Sequence, residues 1–452
     1  MHYIMMFTSV PDYMDGGKHY GKRKYTEEKD YYMANRVIVV GGGASGMMAA
    51  YSAATAGAEV MLLEKNDRLG KKMLITGKGR CNVTTNKDVP EIIRNFVHNG
   101  KFLYGALNKL DNQQVIRFFE EAGVPLKVER GERIFPVSDQ SKDIVNAFRR
   151  KLQEAGVDLW LNAPVKEVLM NGDRVEGVML PNGKKILADH VIIATGGASY
   201  PATGSTGDGY HFAKKTGHTI IPLRPSLIPL ECKEEWVKKL QGLSLKNVRL
   251  TIETKEGKKL YEDFGEMMFT HFGITGPIVL SGSYKAVDYW MKQKQPLIAK
   301  VDYKPALSEE KLDARLLREI EEQHKKQLKN SLHTLMPSKL IPVFIERCGI
   351  SPEKAMHQIT KEERRKMVEQ LKGMRFTLTK ARPVDEAIVT AGGVSVKELS
   401  PKTMESKLVK GLYFVGEVVD IDGMTGGFNL QAAFSTGYLA GIACVNEGSA
   451  LK

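Results

Sequence analysis

The amino-acid sequence predicts an α/β fold in which a parallel sheet is assembled from both ends of the chain and interrupted by an insert. A short apolar strand at residues 36–40 runs directly into a glycine-rich turn, and a second apolar strand at 412–415 runs into another. Between them, residues 226–390 change from strand-like alternation to helical spacing and back. A chain of 452 residues is long enough for two or more domains.

The first glycine-rich turn has the spacing of a dinucleotide-binding motif. After the strand at 36–40, the residues GGGASG match G-x-G-x-x-G, and an Ala-rich helix leads to a second strand at 60–63. In this motif Gly41 makes the tight turn, Gly43 admits a pyrophosphate, and Gly46 lets helix and strand pack closely. A purely structural glycine turn would not need the strand, helix and second strand together. The motif therefore predicts a Rossmann-like domain.

An acidic residue ends this unit. Glu64 lies 18 residues after Gly46, where a carboxylate accepts hydrogen bonds from ribose hydroxyls and disfavours a 2′-phosphate. No second G-x-G-x-x-G follows a strand elsewhere in the chain. A single motif leaves no separate domain for a second dinucleotide. We therefore expect a nicotinamide nucleotide, NAD(P)H, to bind only briefly, as a transient reductant.

Two later stretches resemble the flavoproteins with two dinucleotide-binding domains. Short strands broken by NGD and PNGK turns lead to a buried strand at 190–194 and the turn Thr195-Gly196-Gly197, which in that superfamily completes the FAD domain. The turn Gly416-Glu417 resembles the one that binds the FAD ribityl and pyrophosphate groups. The acid there is usually Asp, so direct contact by Glu417 stays open. Asn429 is placed as the N-cap of a helix facing the flavin pyrimidine.

The chain is basic, with 66 Lys and Arg against 53 Asp and Glu and a net charge of +13. A basic balance favours polyanionic partners, nucleic acid first. Compositional bias is the alternative, because the charge forms no single dense cluster.

Cysteine usage and hydropathy exclude several classes of protein. Cys81, Cys232, Cys348 and Cys444 are far apart and form no CxxC pair, so we expect no disulfide framework, no metal site and a reducing, cytoplasmic setting. No apolar run is long enough for a transmembrane helix, and no membrane partner is expected. Residues 1–33 lack a signal-peptide pattern and are expected to be a disordered or non-native extension, with the native start at Met33.

Three further motifs narrow the family: residues 76–86 (TGKGRCNVTTN), 196–210 (GGASYPATGSTGDGY) and 269–277 (FTHFGITGP). With the C-terminal motif, they resemble the bacterial NAD(P)/FAD-dependent oxidoreductases, which include aminoacetone-oxidase-family FAD-binding enzymes and ribosomal-RNA dihydrouridine synthase-like flavoproteins. The resemblance runs from about residue 35 to the C-terminus. Lys78 departs from it, because a third glycine is commoner at that position.

The resemblance implies an FAD-binding domain at residues 34–225 and 391–452, split by an insert at 226–390. Within the insert it implies a small β-barrel at 226–306 and 373–390 and a helical subdomain at 307–372. The residues expected to bind FAD are Gly41, Gly43, Ala44, Ser45, Gly46, Glu64, Lys65, Gly77, Arg80, Cys81, Asn82, Val165, Ala194, Thr195, Gly196, Gly416, Glu417, Asp422, Gly427, Asn429 and Leu430.

Two residues are candidates for catalysis. Cys81 could protonate a substrate carbon, with Arg80 lowering its pKa or binding phosphate, or it could simply pack in a tight loop. His271 could act as an acid, as a base or as an RNA contact, or make a structural hydrogen bond. Asp420 and Asp422 could contact the ribityl hydroxyls or order their turn.

The resemblance implies that the chain reduces the C5–C6 bond of a uridine in ribosomal RNA, with FAD and NAD(P)H. The alternatives are a small-molecule FAD oxidoreductase, acting in amine oxidation or enone reduction, and a non-catalytic RNA-binding protein stabilised by its flavin. Ribosomal RNA, or its precursor, is the expected partner in the first and third cases. The oligomeric state stays open.

Overall fold

The structure is a computed structural model and describes residues 35–446. The expectations about residues 1–33, and about the last six residues of the FAD-binding domain, lie outside the described residues.

Residues 35–446 contain 21 strands. They are β1 (Arg36–Val40), β2 (Glu59–Leu63), β3 (Thr84–Thr85), β4 (Phe96–His98), β5 (Leu126–Glu129), β6 (Arg133–Pro136), β7 (Asp158–Trp160), β8 (Glu167–Asn171), β9 (Arg174–Met179), β10 (Lys185–Leu187), β11 (His190–Ile193), β12 (Ile220–Ser226), β13 (Leu230–Cys232), β14 (Ser244–Glu253), β15 (Lys259–Phe269), β16 (Gly273–Thr275), β17 (Leu297–Asp302), β18 (Met374–Ala381), β19 (Val389–Val394), β20 (Leu412–Phe414) and β21 (Asp422–Gly423).

The same residues form 13 α-helices. They are α1 (Ala44–Thr55), α2 (Lys71–Ile75), α3 (Val89–Arg94), α4 (Tyr104–Lys109), α5 (Asn112–Glu121), α6 (Ser141–Glu154), α7 (Asp208–Lys215), α8 (Glu235–Lys239), α9 (Pro277–Gln293), α10 (Glu309–Glu322), α11 (Ile341–Cys348), α12 (Lys361–Gly373) and α13 (Phe428–Asn446).

The central sheet has the strand order β20-β11-β1-β2-β7, and every neighbouring pair is parallel. Residues 37–40 of β1 are all buried, which is why this strand is a continuous apolar run and not an alternating one. β20, from the C-terminal end of the chain, pairs with β11 and so completes the sheet.

Helices α1 and α13 pack closely against each other on this sheet. A Cβ on Gly437 would overlap the carbonyl oxygen of Ser45, and one on Gly441 would overlap the hydroxyl of Ser52. Glycine at these two positions therefore lets the two backbones approach. The two ends of the chain form one hydrophobic core.

The insert contains a closed six-stranded barrel, in the order β13-β16-β15-β14-β17-β18, which shares a second hydrophobic core with helices α8 to α12. The sequence prediction of an α/β fold interrupted by a β-barrel and helices is confirmed. β12 and β19 pair antiparallel where the chain enters and leaves the barrel. The domain limits at residues 226 and 390 stay a prediction.

Within residues 35–446, no helix is both long and apolar enough to cross a membrane.

Candidate active site

A cavity of about 660 Å³ lies where the strands of the central sheet end. Segments that follow the carboxyl ends of all five strands line it: 41–45 after β1, 64–66 after β2, 163 and 165 after β7, 194–196 after β11, and 416–417 after β20. Ligands of open parallel sheets bind at this edge. The insert supplies the facing wall through Leu227, Pro277, Leu280 and Ile388.

The first glycine-rich turn brings backbone N–H groups to this cavity. A Cβ on Gly46 would overlap the carbonyl oxygen of Gly41, whereas a Cβ on Gly43 would meet no heavy atom within 4 Å. Gly46 therefore allows close packing, and Gly43 leaves open space in front of α1. No side chain caps the N-terminus of α1. Its free N–H groups and partial positive charge suit an anion.

Glu64 is buried, with 7% of its surface exposed, and its carboxylate is held at both oxygens. Oε2 accepts the N–H of Gly42 at 2.6 Å, while Oε1 accepts the N–H of Asn66 at 2.7 Å. A carboxylate has further lone pairs, so this geometry leaves acceptors for hydroxyl groups in the cavity. Lys65, also on the cavity, forms an ion pair with Asp208 at 2.7 Å.

Glu417 lines the cavity and joins three segments of the chain. Its Oε2 lies 2.7 Å from Nζ of Lys72. Its Oε1 accepts the N–H of Thr390 at 2.8 Å and the hydroxyl of Ser199 at 3.1 Å. Because both oxygens have protein partners, Glu417 fixes the shape of the turn that carries it.

Asn429 lies in the first turn of α13, which begins one residue earlier at Phe428, so the prediction that it is the N-cap is wrong. Its side chain instead accepts the N–H of Gly423 and donates to the carbonyl of Gly423, both at 2.8 Å. Asn82 accepts the N–H of Gly427 at 2.9 Å in the amide orientation that satisfies its neighbours. These two amides hold the loop that opens into α13.

The chain matches the HI0933-like protein Rossmann domain family over residues 35–443. It belongs to that family. A 3-dehydro-bile acid delta(4,6)-reductase of Clostridium scindens is 31% identical over 91% of this chain and 100% of that protein. A ribosomal RNA dihydrouridine synthase of Haemophilus influenzae is 31% identical over 89% of this chain and 96% of that protein. A solved 3-ketosteroid delta1-dehydrogenase of Sterolibacterium denitrificans, 14% identical, covers 93% of this chain and 100% of its own with a TM-score of 0.49.

This member of the HI0933-like family is an FAD-dependent oxidoreductase, and its cavity fits FAD. The open space at Gly43 in front of the uncapped helix suits the pyrophosphate, and the buried carboxylate of Glu64 suits the ribose. Most of the residues predicted to bind FAD line the cavity: Gly41, Gly43, Ala44, Ser45, Glu64, Lys65, Gly77, Asn82, Val165, Ala194, Thr195, Gly196, Gly416, Glu417, Gly427, Asn429 and Leu430.

Arg80 and Cys81 do not line the cavity. Arg80 pairs with Glu129 at 2.7 Å and Asp139 at 3.2 Å, and it lies over the ring of Phe135. Cys81 is fully buried, and burial raises the pKa of its thiol to about 12. A buried, protonated thiol away from the cavity corresponds to the tight-loop alternative, not to a proton donor for substrate.

Asp422 and His271 also lie off the cavity. Asp422 is fully buried and accepts the hydroxyl of Ser226 at 2.8 Å, so it orders the turn and does not reach a ligand. His271 is exposed on the barrel, with its ring 4.9 Å from that of Phe272. Gly46, also predicted to bind FAD, does not line the cavity; it lets the start of α1 pack closely against Gly41.

Sequence reasoning missed a charged cluster around Asp422. Nδ1 of His98 lies 2.6 Å from Asp422, and its Nε2 lies 3.6 Å from Asp288 on α9. Arg224 lies 3.3 Å from Asp288. Hydrogen bonds to Asp288 and Asp422 raise the pKa of His98 to about 9. The protonated ring therefore joins the insert to the FAD-binding unit, and no local sequence pattern indicates such a contact.

Proposed function

We propose that this flavoenzyme reduces the C5–C6 bond of a uridine in ribosomal RNA, with NAD(P)H as the electron source. The observation that carries the proposal is the position of the cavity, which has FAD-binding motifs on one wall and insert residues on the other. In this arrangement a substrate would lie between the cofactor and the insert wall. The near full-length similarity to a protein named ribosomal RNA dihydrouridine synthase and the net charge of +13 support an RNA substrate.

The reaction adds a hydride at one carbon of the double bond and a proton at the other, while NAD(P)H is oxidised to NAD(P)⁺. FAD, when bound, supplies the hydride transfer between nicotinamide and substrate. The residues that would hold it are those of the glycine-rich turn, Glu64, and the turns at 194–196 and 416–417. Leu227, Pro277, Leu280 and Ile388 give the facing wall apolar side chains. Because a uridine in folded RNA is stacked, it must leave the stack to reach this cavity.

The apolar facing wall favours a second candidate, reduction of a steroid-like enone. Leu227, Pro277, Leu280 and Ile388 would pack against an apolar ring system without leaving a polar group unpaired. The similarity to a bile acid reductase also supports it. Both candidates share one chemistry, the reduction of a carbon–carbon double bond conjugated to a carbonyl group.

The two candidates are separated by an anaerobic experiment on the FAD-loaded protein. The flavin is photoreduced, unmodified ribosomal RNA is added, and the absorbance of oxidised flavin is followed. We expect reoxidation in step with dihydrouridine appearing in the RNA. A 3-oxo-Δ4 steroid is the parallel substrate, and NADH and NADPH are compared as reductants. Reoxidation by the steroid alone would overturn the RNA proposal. RNA binding without turnover of either substrate would indicate the non-catalytic alternative.

A further inference from the structure

Lys78 has a backbone conformation that lysine rarely adopts. It lies between Gly77 and Gly79, and the three residues have φ values of 57°, 60° and 83°. This left-handed region is natural for glycine and strained for a residue with a Cβ. The side chain of Lys78 is nevertheless exposed and lines the cavity. A strained residue whose side chain reaches a ligand cavity is a candidate for a functional role.

Arg133 lines the same cavity from β6. Its Nε donates to the carbonyl of Arg130 at 3.0 Å, which orients the guanidinium. Phe135, two residues along β6, also lines the cavity and lies 3.2 Å from the place that a Cβ on Gly77 would take. Residues two apart in a strand share a face. The loop of Lys78 therefore packs beside the face of β6 that carries Arg133.

The acids near these two cations have other partners. Glu129 and Asp139 pair with Arg80 and Lys127, and Glu132 accepts from Asn86 at 3.0 Å. Neither Lys78 nor Arg133 forms an ion pair with any residue between 35 and 446. Two exposed cations without acidic partners, on one wall of a ligand cavity, suit an anionic oxygen group.

We propose that Lys78 and Arg133 form a subsite for an anionic oxygen group of the substrate. This assignment rests on the proposed function, under which the anionic group is a phosphate of the RNA next to the target uridine. The carboxylate of a small substrate has the same chemistry. Phosphate contacts position a nucleic acid without reading its sequence. The subsite therefore positions the substrate and takes no part in the hydride or proton transfer.

The test compares the FAD-loaded full chain with Lys78→Gly, Arg133→Gln and the double variant. Lys78→Gly relieves the left-handed strain while it removes the charge, so this variant is expected to fold. Lys325→Gly and Arg318→Gln are the matched controls, because both residues are exposed on the insert and neither lines the cavity. The probe is a transcript of unmodified ribosomal RNA. Its dissociation constant is measured as a function of salt concentration, together with kcat and KM.

We expect each cavity variant to weaken RNA binding about tenfold and to lower the slope of log affinity against log salt by roughly 0.7–0.9, with kcat unchanged. The subsite assignment is overturned if wild-type protein reduces the RNA but the variants keep its affinity and salt slope. It is also overturned if the controls change equally, or if kcat falls while KM stays constant. In these cases the proposed function still stands.

If wild-type protein reduces no RNA, the proposed function fails, and a second pair of substrates decides the subsite. A 3-oxo-Δ4 steroid acid is compared with its methyl ester. A KM that rises in the two variants for the acid alone assigns the subsite to a carboxylate. An equal change for acid and ester overturns it.

Discussion

Nζ of Lys72 lies 2.7 Å from Oε2 of Glu417, although 345 residues separate the two in the sequence. The pair is about one-fifth exposed at each side chain. It connects α2, which follows the first FAD-binding segment, to the turn that follows β20. Glu417 also accepts the N–H of Thr390 in β19. One carboxylate thus ties the early and late parts of the FAD site to the strand that leaves the insert.

Lys72→Met is expected to lower the free energy of unfolding of the FAD-free protein by about 1–3 kcal/mol, because Glu417 would keep its place in a partly buried site without its cation. Urea titration measures this change. Lys71→Met is the matched control, since Lys71 pairs with the half-exposed Asp67 at 3.0 Å. The control should change by no more than about 1 kcal/mol. An equal decrease in the free energy of unfolding in both variants would show that the Lys72–Glu417 pair stabilises the fold no more than an exposed ion pair does.

Two glycines of the first turn should respond differently to alanine. Gly46→Ala would force a Cβ against the carbonyl oxygen of Gly41, and we expect it to destabilise the FAD-free protein by at least about 2 kcal/mol. Gly43→Ala has room for its Cβ and has φ −81°, so stability should hold while FAD affinity falls. Urea titration and flavin fluorescence measure the two quantities. Normal FAD affinity in Gly43→Ala would contradict the placement of the pyrophosphate.

The His98 cluster predicts a pH dependence of stability. The pKa of His98 is raised from its usual 6.5 to about 9 in the folded protein, so the folded state holds a proton that the unfolded state loses. This contribution, on the order of 2 kcal/mol, is complete below about pH 6.5 and is lost as the pH rises towards 9. The groups that face the ring are Asp288, Asp422 and, farther away, Arg224.

His98→Gln should remove this part of the pH dependence. Free energies of unfolding are measured between pH 6 and 9.5 for the variant and the wild type. The two curves should converge at high pH. Parallel curves would mean that His98 titrates alike in the folded and unfolded states.

The thiol of Cys81 should be unreactive in the native protein. Because burial raises the pKa of its thiol to about 12, native protein at pH 8 should resist iodoacetamide at this position, as judged by peptide mass mapping. Cys81→Ala should keep kcat within about twofold and lose roughly 1 kcal/mol of stability from the small cavity that it leaves. A loss of kcat by a hundredfold with normal folding would restore Cys81 as the proton donor.

Local patterns in the sequence were enough for the fold and for one wall of the cavity. The turn at Gly41 and the turn at Gly416 each follow a short apolar strand, and parallel strands bring their carboxyl ends to one edge. The same patterns could not give side-chain direction. Arg80 and Cys81 lie in the motif with Gly77 and Asn82, yet they leave the cavity because the loop reverses through left-handed residues.

Contacts between distant segments could not be predicted from any local pattern in the sequence. The Lys72–Glu417 pair and the His98–Asp288 contact depend on how the insert and the two chain ends pack. The spacing of residues along the sequence does not indicate this packing. The insert wall of Leu227 and Pro277 is of the same kind.

The close packing of α1 against α13 has a consequence for synthesis of the protein. A ribosome releases α1 long before α13, so the barrel and its helices emerge before β20 and α13 of the flavin unit exist. Until then, α1 and β11 have apolar faces without the partners that cover them in the folded protein. A chain stalled anywhere before β20 should stay colourless, and the appearance of bound flavin during translation should mark the moment at which α13 has emerged and packed against α1.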